Sequence, residues 1–307
     1  MAQGDHGGGG MSENHGVAHD HRPGAGAPQD TAGGMAKTAG VARNFLLKWS
    51  LAIGLVVLWE LATLAAESAF FPRPTEILAQ AVDVWFSGPA SHLFLADTVF
   101  DDVLPSLGRV FGSWAIAVVL GVALGTALGR SQTAMDYIGP LLSFMRAVPP
   151  PALIPVFLVL FGIDNTMKVV TIVFGSIWPI ILNTVDGVRS VNPLQQETAR
   201  AFRTPRRYWV TMVVLPAAMP KIFAGMRLSL SLALILMVIS EMVGVTNGIG
   251  FQLIFAQQSY EFPTMWTWIV LLGVLGYGLN ALLLAVERRV LSWQPTRGAA
   301  DAKTTGV

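Results

Sequence analysis

Glu197-Thr198-Ala199-Arg200-Ala201-Phe202-Arg203-Thr204-Pro205-Arg206-Arg207 is a polar, basic stretch that runs through Val213-Val214-Leu215-Pro216-Ala217-Ala218-Met219-Pro220 into a hydrophobic segment. Two helix-start signals lie in it or just ahead of it. Asn192 followed by Pro193 sets a capping side chain before a proline at the first helical position, with Gln195 at the third position of a capping box. Thr204-Pro205 repeats the cap-plus-proline device. The spacing predicts two short helices with a turn between them, in a loop joining two membrane spans. Such a loop, held against a bilayer, is suited to being gripped by a partner.

The rest of the chain supplies the membrane. Its 307 residues are 53% hydrophobic and 13% charged, and the mean hydropathy is +0.55. Soluble domains carry about 25% charged residues, so this deficit together with long apolar runs places the chain in a bilayer. A helix needs about 20 apolar residues to cross the hydrocarbon core. Phe45 to Ala66, Leu104 to Leu128, Ile138 to Phe161, Val169 to Val188, Ile222 to Val243 and Thr264 to Val286 meet that length, predicting an all-α membrane protein with six transmembrane helices.

An even number of spans puts both termini on one side. Arg43, Lys48, Arg130, Arg189, Arg200, Arg203, Arg206, Arg207, Lys221, Arg288 and Arg289 all fall at that face. The opposite loops hold only Arg73 and Lys168, with Arg109 near a span end, and are otherwise acidic (Glu67, Glu76, Asp83, Asp97, Asp101, Asp102, Asp164 and Glu261). The positive-inside rule makes the termini and the Glu197 loop cytoplasmic. The expected organisation is a disordered Gly/His-rich cytoplasmic tail (1–42), a first span with an extracytoplasmic segment (43–103), a membrane core (104–290) containing the cytoplasmic loop 190–221, and a second cytoplasmic tail (291–307). His6, His15, His19 and His21 lie in the first tail, where no fixed geometry would hold a metal. The first apolar run is late and of full spanning length, unlike a cleavable signal peptide.

Within the spans a few residues stand out. Ser113, Ala117, Gly121, Gly125 and Gly129 recur every four positions, a small-residue stripe that lets another backbone approach closely. Pro140, Pro149, Pro150, Pro151 and Pro155 predict that the third span is broken or strongly kinked. Glu60, Arg146 and Glu241 are ionisable groups at membrane depth, candidates for function, with interfacial solvation or the holding of a nearby loop as the alternative for the two acids. Ser176, Trp178 and Asn183 in the fourth span, and Ser229, Ser231 and Ser240 in the fifth, offer neutral hydrogen-bonding groups. Of these, Ser176, Trp178, Asn183, Ser240 and Glu241 are the candidates for lining a translocation path.

The loop resembles the EAA loop of ABC-importer permeases, in which a Glu-Ala-Ala segment, a Gly and a later Leu-Pro form the helices that dock on the ATPase subunit. Phe161-Gly162-Ile163, Asn183-Thr184-Val185-Asp186-Gly187-Val188-Arg189, Asn192-Pro193 and Ser240-Glu241-Met242-Val243-Gly244 extend the resemblance to the nitrate/sulfonate/taurine type over most of Leu104 to Val290. It implies a type I ABC-importer transmembrane domain, with Glu197, Thr198, Ala199, Arg203, Leu215 and Pro216 as the ATPase-coupling residues. It also implies a second copy of the permease, a pair of ATPase subunits binding ATP and Mg, and an extracytoplasmic binding protein that delivers a small anionic solute. Thr198 departs from the central Ala of the motif and Arg203 from the Gly, whose role in the family is to turn the chain with positive φ.

Other classes find little support. The chain has no cysteine, hence no disulfide, thiolate site or cysteine nucleophile, and no Gly-Lys of a phosphate-binding loop, so ATP must be bound elsewhere. His92 is the only histidine outside the tail, which rules out a Ser-His-Asp triad in the membrane, and no nucleic-acid module is visible. The rivals are an ion-coupled secondary transporter, for which no internal repeat is seen, and an intramembrane enzyme, which would have only Glu60 and Glu241 to work with.

Overall fold

The computed structural model describes residues 32–66, 68–243 and 246–293, with side chains from Trp49 onward. The four tail histidines and the C-terminal tail beyond Trp293 lie outside the described residues. The chain divides into two units, residues 1–57 and 58–307. Of the first, the described part is the beginning of helix α1 (Ala32–Ala66). This helix takes in the last eleven residues (32–42) of the segment expected to be disordered, where Ala32, Met35, Ala36 and Lys37 are good helix formers that offset Gly33 and Gly34.

All regular structure among the described residues is helical. Five helices are long and apolar enough to cross a membrane: Trp49–Ala66 within α1, Val99–Gly129, Asn165–Arg189, Arg206–Glu241 and Phe262–Val290. The pair Gln132–Ala147 and Pro150–Phe161, bent by 83°, meets the same test jointly, as a broken span or a re-entrant loop. The sequence places the break at the proline triplet, and the backbone shows why. Val148 and Pro149 both adopt extended conformations, because a residue preceding proline is driven out of the helical region. Helix α4 (Gln132–Ala147) stops there, a 3-10 turn spans Pro150–Leu153, and α5 (Ile154–Phe161) continues in the new direction.

Helix α6 (Asn165–Arg189) is the centre of the second unit, packed between α3 (Leu104–Gly129) and α9 (Leu215–Glu241). The small-residue stripe on α3 is the reason for the close approach. A Cβ built on Gly121 would lie 2.8 Å from Ile180 Cγ2, on Gly125 2.6 Å from Thr184 Cβ, and on Gly129 2.9 Å from Val188 Cβ. The partner of the stripe is therefore α6 of the same chain. Gly187 and Gly225 serve the α6–α9 contact similarly, against Ala218 and Asn183. In the most hydrophobic stretches of α6 and α9 44% of the residues are buried, against 6% in α11 (Phe262–Val290). Packing in water would hide such apolar faces, whereas lipid or another subunit can cover them.

Two shorter helices lie between the spans, of which the first, α2, is amphipathic. α2 (Pro74–Trp85) packs on α11, with Trp85 edge-on to the buried Trp268 at 6.2 Å. Glu60 holds its start: the carboxylate accepts from the Thr75 amide at 3.2 Å and from the Thr75 hydroxyl at 2.8 Å. Glu60 thus serves as a cap for α2. Helix α10 (Ile249–Gln258) follows α9 and packs on both α9 and α11.

Leu-Pro pairs introduce α3 and α9 in the same way. Each follows a π turn, Val99–Val103 before Leu104-Pro105 and Val210–Val214 before Leu215-Pro216, closed by an i+5 bond from the leucine amide to the first valine carbonyl. A proline ring collides with the carbonyl four residues back in a regular helix, and the widened turn moves that carbonyl aside. The second element of the Glu197 loop, α8 (Arg206–Trp209), is consequently no separate helix. It runs through the π turn into the span as one 36-residue helix, Arg206–Glu241.

Candidate functional site

Helix α7 (Pro193–Ala201) carries Glu197, Thr198 and Ala199. Asn192 caps it as its sequence suggests, Oδ1 accepting from the Leu194 amide at 2.9 Å. The reciprocal half of the capping box is absent: Gln195 makes no return bond, and Gln196 reaches the Val191 carbonyl instead. Thr198 is accommodated in place of Ala because its hydroxyl donates to the Leu194 carbonyl at 2.8 Å, one turn back. At Thr204-Pro205 the cap falls one residue later than expected, with Pro205 itself as the N-cap of α8 and no side-chain cap.

Arg203 occupies the turn between the two helices with φ +50. The Thr204 amide bonds the Ala199 carbonyl at 2.9 Å and the Arg203 amide bonds the Arg200 carbonyl at 3.0 Å, the paired bonds of a Schellman motif with Arg203 at its left-handed position. The turn normally made by glycine is therefore kept with an arginine. Arg203→Gly is expected to stabilise the loop by about 1 kcal/mol, the steric cost of a Cβ in this conformation. Chemical denaturation of the purified protein would show a raised midpoint; a lowered one would mean that the arginine side chain holds the turn.

The exposed face of α7 is apolar at both ends, Leu194 being 67% and Phe202 80% accessible. These two residues with Thr198 border a cleft of about 430 Å³ that Trp209 and Val213 close from behind. Glu197 projects from the same helix, exposed, and among the described residues it has neither a hydrogen bond nor an ion pair. The local partner it might have used, Arg200 three residues on, is not engaged. Leu215 and Pro216 stand apart from this cluster, half-buried at the start of α9 beyond the π turn.

At the opposite end of α9 lies a buried polar network. Glu241 is 1% exposed. Its carboxylate accepts from Ser106 Oγ at 2.8 Å, Arg109 Nη1 at 2.5 Å and the Gly250 amide at 3.0 Å. Arg109 also donates to Asn247 Oδ1 at 2.8 Å and Asn165 Oδ1 at 3.0 Å. Asp102 accepts from the Gly248 amide and from Gln252 Nε2, both at 2.7 Å, while Ser106 Oγ accepts from the Ile249 amide at 3.0 Å. Three successive amides at the start of α10, which no helix can satisfy internally, are thus taken up by side chains of α9, α3 and the turn before α3. Gly248, at φ +121, touches the Glu241 carboxylate so closely that a Cβ would lie 2.5 Å from it.

The other path candidates are scattered along α6 and α9. Ser176 and Ser240 are fully buried and turned onto their own helices, donating to the Ile172 carbonyl at 2.6 Å and the Met237 carbonyl at 2.9 Å. Asn183 Nδ2 does the same to the Pro179 carbonyl at 2.8 Å. Trp178 lines a largely apolar cleft of about 440 Å³ at the bend of the broken span, with Arg146, Pro150 and Leu236. Its Nε1 is buried without a partner.

Arg109, Lys168 and Asp102, which the sequence places near a span end or in loops, are all buried in helical turns, and no motif in the sequence marks Ser106, Asn165, Asn247 and Gln252. Asp102, Ser106 and Arg109 do share the i, i+4, i+7 spacing of one helix face, the signal that points to them. Arg227 and Glu287, which pair between α9 and α11, carry no comparable signal.

With this geometry in place, comparison with known proteins is decisive. A model of the family described as "Binding-protein-dependent transport system inner membrane component" matches residues 117–292. The chain belongs to that family. A "probable ABC transporter permease protein" of Brucella abortus (strain 2308) is 30% identical over 259 residues, covering 84% of this chain and 98% of that protein. The taurine transport system permease protein TauC of Escherichia coli (strain K12) is 29% identical over 245 residues, 80% of this chain and 88% of that protein. An inward-facing structure of the MetNI methionine ABC transporter matches 62% of this chain and 94% of its own at a TM-score of 0.55 and 20% identity, which shows the fold alone. This family member is an ABC-importer permease of the nitrate/sulfonate/taurine type, a multi-pass inner-membrane transport subunit and not an enzyme. The secondary-transporter and intramembrane-enzyme readings fall with that result, and an ATPase and a binding protein are its partners as a member of the family.

Proposed function

We propose that two copies of this permease enclose the path of a small anion, that its termini and the 190–221 loop are cytoplasmic, and that α7 docks on an ATPase pair holding ATP and Mg. The observation that carries the docking is the exposed face of α7, where Leu194 and Phe202 flank a cleft and Glu197 stands without a partner. An unpaired carboxylate on a helix that also exposes large apolar side chains suits an interface that meets a basic group. Thr198 and Ala199 line that cleft with Leu194 and Phe202, Glu197 projects from the same helix, Arg203 makes the turn that follows it, and Leu215-Pro216 begins the next span. A second copy would cover apolar faces that one chain leaves open, such as Val159 and Leu160 on α5, which are 83% and 67% exposed. An anionic solute is supported by relatives of 29 to 30% identity whose names carry taurine, aliphatic sulfonates, nitrate and bicarbonate.

Because the chain lacks cysteine, its orientation can be tested by single-cysteine labelling. Ser87→Cys and Gln257→Cys are expected to react with an impermeant thiol reagent in intact cells, and Thr133→Cys, in the first turn of α4, only after permeabilisation. All three positions are exposed. Labelling of Thr133→Cys from outside would invert the topology and remove the docking assignment.

A further inference from the structure

The loop also borders a strongly basic, exposed surface. Arg200 and Arg203 from the loop, Arg206 from α8 and Arg130 from the end of α3 line a cleft of about 430 Å³. An adjoining cleft of about 380 Å³ shares Arg130 and Arg200 and adds Arg189 from the end of α6. Trp209 borders both. Among the described residues none of these five arginines forms an ion pair. Helix C-termini explain why Arg130 and Arg189 are tolerated where they stand. They do not explain why three more guanidinium groups converge on the same space, since like charges brought together repel unless an anion is shared between them.

We infer that this surface binds the phosphate of an anionic phospholipid. Guanidinium groups present paired donors to phosphate oxygens and favour it over a compact point charge. The site's place in the fold selects a lipid over a soluble ion. Arg130 and Arg189 close two membrane spans, Gly129, Val188 and Val214 supply the apolar floor of the second cleft, and a tryptophan stands at the level where spans leave the bilayer. Bound phosphate would tie α7 to the ends of α3 and α6. The functional meaning rests on the orientation proposed above; the binding itself does not, so cysteine labelling and lipid binding fail independently.

The test uses the purified full-length permease in neutral detergent, titrated with fluorescent phosphatidylglycerol or phosphatidylcholine. Phosphatidylglycerol is expected to bind saturably, weaken with rising salt, and exceed phosphatidylcholine. Each arginine is worth about fivefold in affinity for an anionic lipid surface, so Arg130→Gln with Arg189→Gln should weaken binding about 25-fold. Arg130→Lys with Arg189→Lys keeps the charge and should retain most of it. If the double glutamine variant does not fold, Arg130→Gln alone and the salt dependence decide. Equal binding of both lipids, or unchanged binding in the glutamine variants, overturns the inference. Competition by inorganic phosphate at equal or lower concentration reassigns the site to a soluble anion and overturns the lipid assignment.

Discussion

Glu241→Ala is expected to destabilise the permease by about 3 to 5 kcal/mol, the cost of removing one partner from a buried ion pair. The reason lies in what remains. Arg109 would stay 8% exposed with its charge facing Ser106 and a void, and the Gly250 amide would lose its acceptor. α10 is held at its first turn by Asp102, Ser106 and Glu241, so the loss should appear first as cleavage by protease between α9 and α10, before the spans separate. Removing both charges tells a different story. Arg109→Met with Glu241→Leu should recover most of the stability, because a paired charge replaced by apolar groups is close to neutral. The coupling energy from that double-mutant cycle measures the pair itself. Wild-type thermal stability in Glu241→Ala would show that Asp102 and Ser106 alone anchor α10.

Glu197→Ala should weaken association with the ATPase by about 2 kcal/mol or more, roughly 30-fold, if the carboxylate meets a buried basic group on the partner. The competing explanation for a glutamate here, an ion pair with Arg200 worth about 0.2 to 0.5 kcal/mol, is not formed. The variant should therefore reach the membrane and fold as wild type while failing to co-purify the ATPase. Solute-stimulated hydrolysis in reconstituted membranes should fall with it. Unaltered co-purification and hydrolysis would falsify the role given to Glu197.

The spans were legible because their signal is local: some 20 apolar residues in a row, or a proline triplet that no helix tolerates. α2 and α10 were not, being 12 and 10 residues long and lying in acidic connections where length and hydropathy say nothing. The coupling loop was legible in outline from Asn192-Pro193, yet the sequence suggested two separate helices where α8 is the opening of a span. What hid that was Leu215-Pro216, which reads as a helix break and is absorbed by a π turn. The Glu241 network was the least visible part. Its members come from positions 102 to 252, and hydrogen bonds such as Ser106 to Glu241 join residues 135 apart, so no window on the chain contains both ends.

A π turn holds one residue more than an α turn, and each residue of a helix advances its direction by about 100°. The turn at Val210–Val214 therefore acts as a phase shifter: the stretch before it, which carries Trp209 toward Arg130, points about 100° away from where an uninterrupted α-helix would aim it. Deleting a single valine there would leave the hydrophobicity and the length of the span almost untouched. It would nevertheless dial the proposed docking loop to a different compass bearing, while the far end at Glu241 stayed locked in its network.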